Sequence, residues 1–247
     1  MTDYPDHGQL IKASHKKYDA LIFFVHFYRG HKKALLRHVK LVNSLGFDAY
    51  VFNLKDSVKD HYGLPYSYVS QKFGMKHALA DQIEEHLNLH AAYPQKIIFA
   101  FSNVSACAME AMARRKPLDV IGLICDSGPS LKFINSAYNL YTHSMPIRFL
   151  PLRLLATPLL AYGWSKALHK DIHHDLRQLP NHFPVLSIRG WKDPLIKPKD
   201  IDLCFEPCKN LNWQKLSLPE AGHLTGLRDF PEDYKPAVKN FLENLVK

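Results

Sequence analysis

Short apolar runs alternate with segments of helical periodicity along the whole chain, and that alternation restricts the fold more than any other feature. Strands that read as continuous apolar runs are buried on both faces, which is the pattern of a mostly parallel sheet covered by helices, an α/β fold. The run at 20–27 (ALIFFVHF) reads as a buried strand, and residues 32–45 follow with apolar residues at helical spacing until Gly46 stops them. Further strands are expected at 48–54, 96–101, 119–125, 184–188 and 213–218, with helices over about 71–90, 105–113 and 234–246. Residues 55–70 lack periodicity and carry Gly63, Pro65 and three tyrosines, so they read as a loop over the carboxyl edge of the sheet.

A chain of 247 residues, 47% of them hydrophobic, can bury one sizeable core, and a single domain is expected. Its core is read as 1–129 and 183–247. Between them, 130–182 is punctuated by proline and rich in Leu, Tyr and Phe, and reads as a helical cap insertion. The most lipid-like stretch, 145–164, contains Arg148, Arg153 and three prolines and is not expected to span a bilayer.

Lys and Arg outnumber Asp and Glu by 32 to 23, a formal charge of +9, yet no block of like charges marks a nucleic-acid tail. The excess is read as a solubility feature, with no nucleic-acid partner expected. Cys107, Cys125, Cys204 and Cys208 form no CxxC pair, and the polar start MTDYPDHGQL carries no secretory apolar region. A reduced, cytoplasmic protein with structural thiols is expected, without metal or cofactor. His86 and His90 share a helical face, and His173 adjoins His174, but neither pair has a third ligand close in sequence; both read as solvated.

The junction at 101–105 carries the chemistry. A serine on a strained strand-to-helix turn, an imidazole to take its proton and a carboxylate to orient that imidazole are the three parts of acyl transfer. The segment Ala100-Phe101-Ser102-Asn103-Val104 matches the nucleophile elbow G-x-S-x-G, with Ala100 and Val104 in the glycine places. A second phasing sets Asn103 in the nucleophile position between Phe101 and Ser105; an amide cannot form an acyl intermediate, so that phasing has no triad. The acid expected from the loop after 184–188 is Asp193, with Asp126, at the end of the earlier strand, as the alternative. The base expected is His223, in a Gly-His loop between the last strand and the terminal helix. Oxyanion-hole N–H donors are expected from Asn103 and from Tyr28, with Phe27 as the other candidate in that loop.

In architecture and motif order these residues resemble the α/β-hydrolase superfamily, over most of the chain outside 130–182. More narrowly, Phe101-Ser102-Asn103, the turn Asp126-Ser127-Gly128-Pro129, and His223 followed by Arg228, Pro231 and Tyr234 resemble the transmembrane-protein-53-like branch. The resemblance implies a serine hydrolase acting on a small-molecule carboxylic ester or thioester through an acyl-serine intermediate. A hydrophobic, lipidic acyl group is expected from Phe27, Phe149, Tyr162 and Trp164 as substrate contacts, with Arg148 and Arg153 facing an anionic or interfacial group. The competing expectation, motivated by Phe27 and Val104, is a catalytically silent hydrolase fold that binds a lipid or protein partner. The oligomeric state is not legible.

Overall fold

The structure, a computed structural model, describes residues 5–57, 60, 64–116 and 118–246. Gly63 and the first four residues of the polar start lie outside the described residues.

The described strands of the main sheet are β1 (Gln9–Ile11), β2 (Leu21–Val25), β3 (Asp48–Val51), β6 (Lys96–Phe101), β7 (Val120–Asp126), β8 (Phe183–Gly190) and β9 (Leu211–Leu218). They lie in the order β1-β3-β2-β6-β7-β8-β9. Only β1 runs antiparallel, to β3. A hairpin of β4 (Tyr66–Ser67) and β5 (Lys72–Phe73) stands apart. The helices are α1 (Leu36–Leu45), α2 (Met75–Asn88), α3 (Ser105–Arg114), α4 (Phe133–Asn139), α5 (Leu150–Trp164), α6 (Leu168–Arg177), α7 (Pro198–Phe205), α8 (Gly226–Asp229) and α9 (Pro231–Leu245).

Burial on both faces explains why the strands carry no polar alternation. In β2, Leu21, Phe23 and Val25 enter the apolar cluster that also holds residues of α2, α3, α6 and α7. Ile22 and Phe24 enter the opposite cluster, with Val39 and Val42 of α1 and Val238 and Phe241 of α9. Every β2 side chain is therefore removed from water, as the period-two geometry of a strand requires when both faces are covered.

Several expectations shift in detail. The helix expected from 71 starts at Met75, because 66–73 form the hairpin and Gly74 adopts φ 136°. Strand β1 and helix α7 were not anticipated: β1 is three residues long, and α7 opens on Pro198 just after the loop that holds Asp193. The stretch 130–182, irregular in sequence, contains α4, a π-helical turn at Leu140–Ser144, α5 and α6. Pro158 sits inside α5 without ending it. All four cysteines are free and buried. Among the described residues no helix is long and apolar enough to cross a membrane.

Helix α6 is tied to the core by buried charge. Lys76 of α2 is fully buried and pairs with Glu110 of α3 and with Asp175 of α6, the latter at 2.7 Å. His77 bonds Glu110 through Nδ1 at 2.7 Å, and Lys72 reaches Asp171 of α6 at 2.9 Å. Burial pulls the Lys76 ammonium down, but the two carboxylates outweigh it and hold its pKa above the usual lysine value.

Candidate active site

Parallel strands with helical crossovers bring their carboxyl ends to one edge, where the loops that follow them meet. Register makes this concrete: Phe101 pairs with Asp126, Asp126 with Ile188, and Gly190 with Leu218. Ser102, Ser127, Asp193 and His223 all follow directly from those strand ends.

The left-handed backbone that marks the elbow falls on Ser102, at φ 56°. A non-glycine residue in that region costs on the order of 1–3 kcal/mol and persists where its surroundings over-determine it. Here they do. Gly128 packs so closely that a Cβ on it would lie 2.4 Å from the Ser102 carbonyl oxygen, and the Asn103 side chain accepts a hydrogen bond from Ser130 N–H at 2.9 Å. That bond occupies the Asn103 amide oxygen, and the left-handed backbone falls on Ser102 and not on Asn103. Val104, where the elbow pattern has glycine, is fully buried in the apolar cluster with Ala100, Ala106 and Cys107. The β-branched side chain is thus absorbed by packing.

His223 Nδ1 lies 2.7 Å from Asp193 Oδ2. The other oxygen, Oδ1, accepts hydrogen bonds from Leu195 N–H at 2.7 Å and Ile196 N–H at 3.0 Å. A carboxylate in that position makes Nδ1 the protonated nitrogen and leaves Nε2 as an acceptor. Gly190 brings the two loops together: a Cβ there would meet the Ala221 carbonyl oxygen at 2.3 Å.

Asp126 has other partners. It is buried and accepts hydrogen bonds from Tyr234 Oη at 2.7 Å and Ser127 Oγ at 2.8 Å. Ser127 Oγ in turn accepts from Leu224 N–H at 3.1 Å, and Tyr234 Oη lies 3.1 Å from His38 Nε2. The structure therefore pairs His223 with Asp193, while Asp126 braces the loop next to His223. Burial pushes the Asp126 carboxyl up, against the two hydroxyl donors. Sequence reasoning missed this brace; its signal was the Asp-Ser-Gly-Pro turn together with Tyr234.

Ser102, Asn103, His223, Phe27, Tyr28 and Trp164 line one cavity of about 420 Å³. The walls are mostly apolar, with Leu140, Met145, Leu160 and Leu195 among them. Ser102 and His223 share this lining, and among the described residues no hydrogen bond joins them. Asn103 N–H, at the start of a helical turn, has no intrahelical acceptor. Tyr28 lies in a tight turn closed by Gly30 N–H donating to the Phe27 carbonyl at 2.8 Å.

That turn is held from both sides. His26 Nε2 accepts from Leu54 N–H at 2.8 Å, and Nδ1 bonds the Phe27 carbonyl at 2.8 Å. Burial lowers the His26 pKa to about 4, which suits a ring that must accept a hydrogen bond. Asp56 accepts from Arg29 N–H, and burial pushes its carboxyl up to about 6.

Two expected substrate contacts are corrected. Phe149 and Tyr162 are exposed and do not line the cavity; Tyr162 stands beside Phe73 of the hairpin instead. Trp164, from the same helix, does line it, stacked on Phe133 with centroids 5.0 Å apart. Arg153 lies over the Tyr138 ring at 4.9 Å. Among the described residues, no group of three or more His, Cys, Asp or Glu side chains is placed to hold a metal ion.

A mostly parallel sheet, helices on both faces and a left-handed serine at the exit of a central strand define the α/β-hydrolase fold, and this chain has it. No protein-family model matches the sequence, and no curated protein matches it. Solved structures do match. An esterase from Pyrococcus furiosus aligns with a TM-score of 0.68 at 16% identity, covering 97% of this chain and 85% of the other. A thermostable carboxyl esterase from Bacillus coagulans aligns at 0.70 and 12% identity, covering 97% and 94%. A monoacylglycerol lipase from Paleococcus ferrophilus aligns at 0.63 and 15%, covering 96% and 98%.

Proposed function

We propose that this protein is a serine hydrolase that cleaves a small-molecule carboxylic ester or thioester with a hydrophobic acyl group. The observation that carries the reading is the 2.7 Å bond from His223 Nδ1 to Asp193, on a cavity that also holds Ser102 in its left-handed elbow. His223 Nε2 takes the Ser102 proton as Oγ attacks the carbonyl carbon, and Asn103 and Tyr28 N–H groups stabilise the oxyanion. His223 returns the proton to the leaving alcohol or thiol; water, activated by the same ring, then releases the acid. Asp193 is the acid of this triad, and Asp126 is a brace.

The segment 130–182 acts as the cap, since its Phe133, Leu140, Met145, Leu160 and Trp164 form much of the cavity wall. The apolar wall supports a hydrophobic acyl group, and the esterase and lipase neighbours support ester chemistry. The transmembrane-protein-53-like branch is the lineage we infer, supported by the Asp126-Ser127-Gly128-Pro129 turn and its tie to Tyr234. A cytoplasmic setting is inferred from the four buried free thiols.

A fluorophosphonate probe tests the reaction: wild type is labelled and Ser102→Ala is not. Equal labelling of both removes Ser102 as nucleophile in favour of another residue, and labelling of neither leaves a binding protein on a hydrolase fold.

A further inference from the structure

Helix α5 has two apolar faces. Its inner stripe, Thr157, Leu160, Ala161 and Trp164, faces the protein, and Leu160 and Trp164 line the cavity. Its outer stripe, with the preceding residue, is Phe149, Leu152, Leu155, Leu159 and Tyr162, at the spacing of one helical face. These five side chains are between 51% and 67% exposed. On a water-facing helix that stripe is normally polar. A contiguous apolar surface of this kind marks a contact face. The hairpin continues it, since Phe73 stands against Tyr162, and Tyr66, Tyr68 and Val69 are exposed nearby in sequence.

Charge selects the occupant. Between Asp126 and Asp171 the chain has no acidic residue, while Lys132, Arg148, Arg153, Lys166 and Lys170 are all basic. Arg148 precedes the outer stripe and Lys166 follows it, both exposed. A second copy of the chain brought face to face would place these like charges together. An anionic lipid surface instead accepts the apolar stripe among its acyl chains and the basic flanks among its headgroups.

We infer that the outer face of α5 docks this protein on an anionic membrane surface, with the helix lying in the plane of the interface. The proposal does not depend on hydrolysis at Ser102. Because the same helix walls the cavity from inside, docking sets the cavity beside the lipid surface.

The test is co-sedimentation with vesicles of phosphatidylcholine alone and of an equal mixture with phosphatidylserine. Wild type is expected to bind the mixed vesicles more strongly and to be released by salt. Leu155→Glu/Leu159→Glu, residues outside the cavity lining, should weaken binding at least ~10-fold while circular dichroism stays unchanged. Arg148→Glu, which leaves the apolar stripe intact, should lower binding to the mixed vesicles alone. Equal binding of wild type and the double variant, or no binding by wild type, overturns the proposal. So does a wild-type dimer in light scattering that the double variant converts to monomer.

Discussion

Asp193 divides its oxygens between two tasks, one fixing its own loop and one reaching His223, so that turn capping and the acid role proposed for it draw on a single geometry. Replacing it with Asn keeps the loop bonds but offers an amide to His223, favouring the wrong tautomer. Asp193→Asn is therefore expected to lower kcat on a short p-nitrophenyl ester by up to about 10⁴ with little change in KM. Asp126→Asn should cost thermal stability and far less turnover, as followed by the same assay and a melting curve; the reverse pattern would move the acid to Asp126. In sequence only local context favours Asp193 over Asp126, since Asp126 ends β7 and Asp193 lies in the loop just after β8, both ahead of a turn. What separates them is Tyr234, brought from more than a hundred positions away by α9. The positions of Ser102 and His223 at the carboxyl edge of the sheet were legible because their local patterns, a strand running into a small-residue helix and a Gly-His loop, cause that placement. Phe149 and Tyr162 were misread because a helix apolar on nearly every side, with Arg153 as its one charge, gives little periodic signal for which stripe faces in.

At the scale of elements, the sheet was legible wherever a strand is buried on both faces, since an uninterrupted apolar run has few other uses. Strand β1 escaped because three half-exposed residues at an edge carry no such run. Helix α7 escaped because it is only eight residues long, from its proline to its last apolar side chain. The buried Lys76, Glu110 and Asp175 were invisible for a different reason: their charges suggest surface, and only the convergence of α2, α3 and α6 pairs them. Lys76→Met leaves Asp175 buried without its cation, while Glu110 keeps Arg114 and His77, and is expected to destabilise the protein by about 3–5 kcal/mol. Urea unfolding checks this; a loss below ~1 kcal/mol would show that the cluster does not anchor α6.

For the whole molecule, buried histidines set the response to acid, and His86 and His90, expected on a solvated helical face, are among them because that face packs against Tyr50 of β3. Burial holds His26 and His90 at about 4 and His38 at about 3, against about 6.5 in an unfolded chain. Between those limits the unfolded chain binds protons that the folded one refuses, so stability is present above about pH 6.5 and falls as pH drops toward 4. Each histidine contributes a slope of up to ~1.4 kcal/mol per pH unit in that window. Asp56 opposes this. With its folded pKa raised to about 6, it favours the folded state at low pH and loses that contribution as pH rises through 6. Asp126 and Asp175, also pushed up by burial, act in the same direction as Asp56, while His86, lowered by burial, acts with the other histidines; the denaturant midpoint is expected to fall over this window. His38→Gln should flatten the fall, measured relative to its own midpoint near neutrality; an unchanged slope would mean that His38 titrates alike in both states.

The sheet order has a consequence for how such a molecule can vary. Ser102 leaves β6, Asp193 leaves β8 and His223 follows β9, whereas the long excursion through α4, α5 and α6 leaves β7 and returns to β8. The spacing of the three side chains is written in strand register, and the walls of the cavity are written largely in the excursion. Lengthening, shortening or recomposing that excursion alters the cavity without moving the strand ends that space the three side chains, so that the shape of the pocket and the spacing on its floor are separately heritable within one chain.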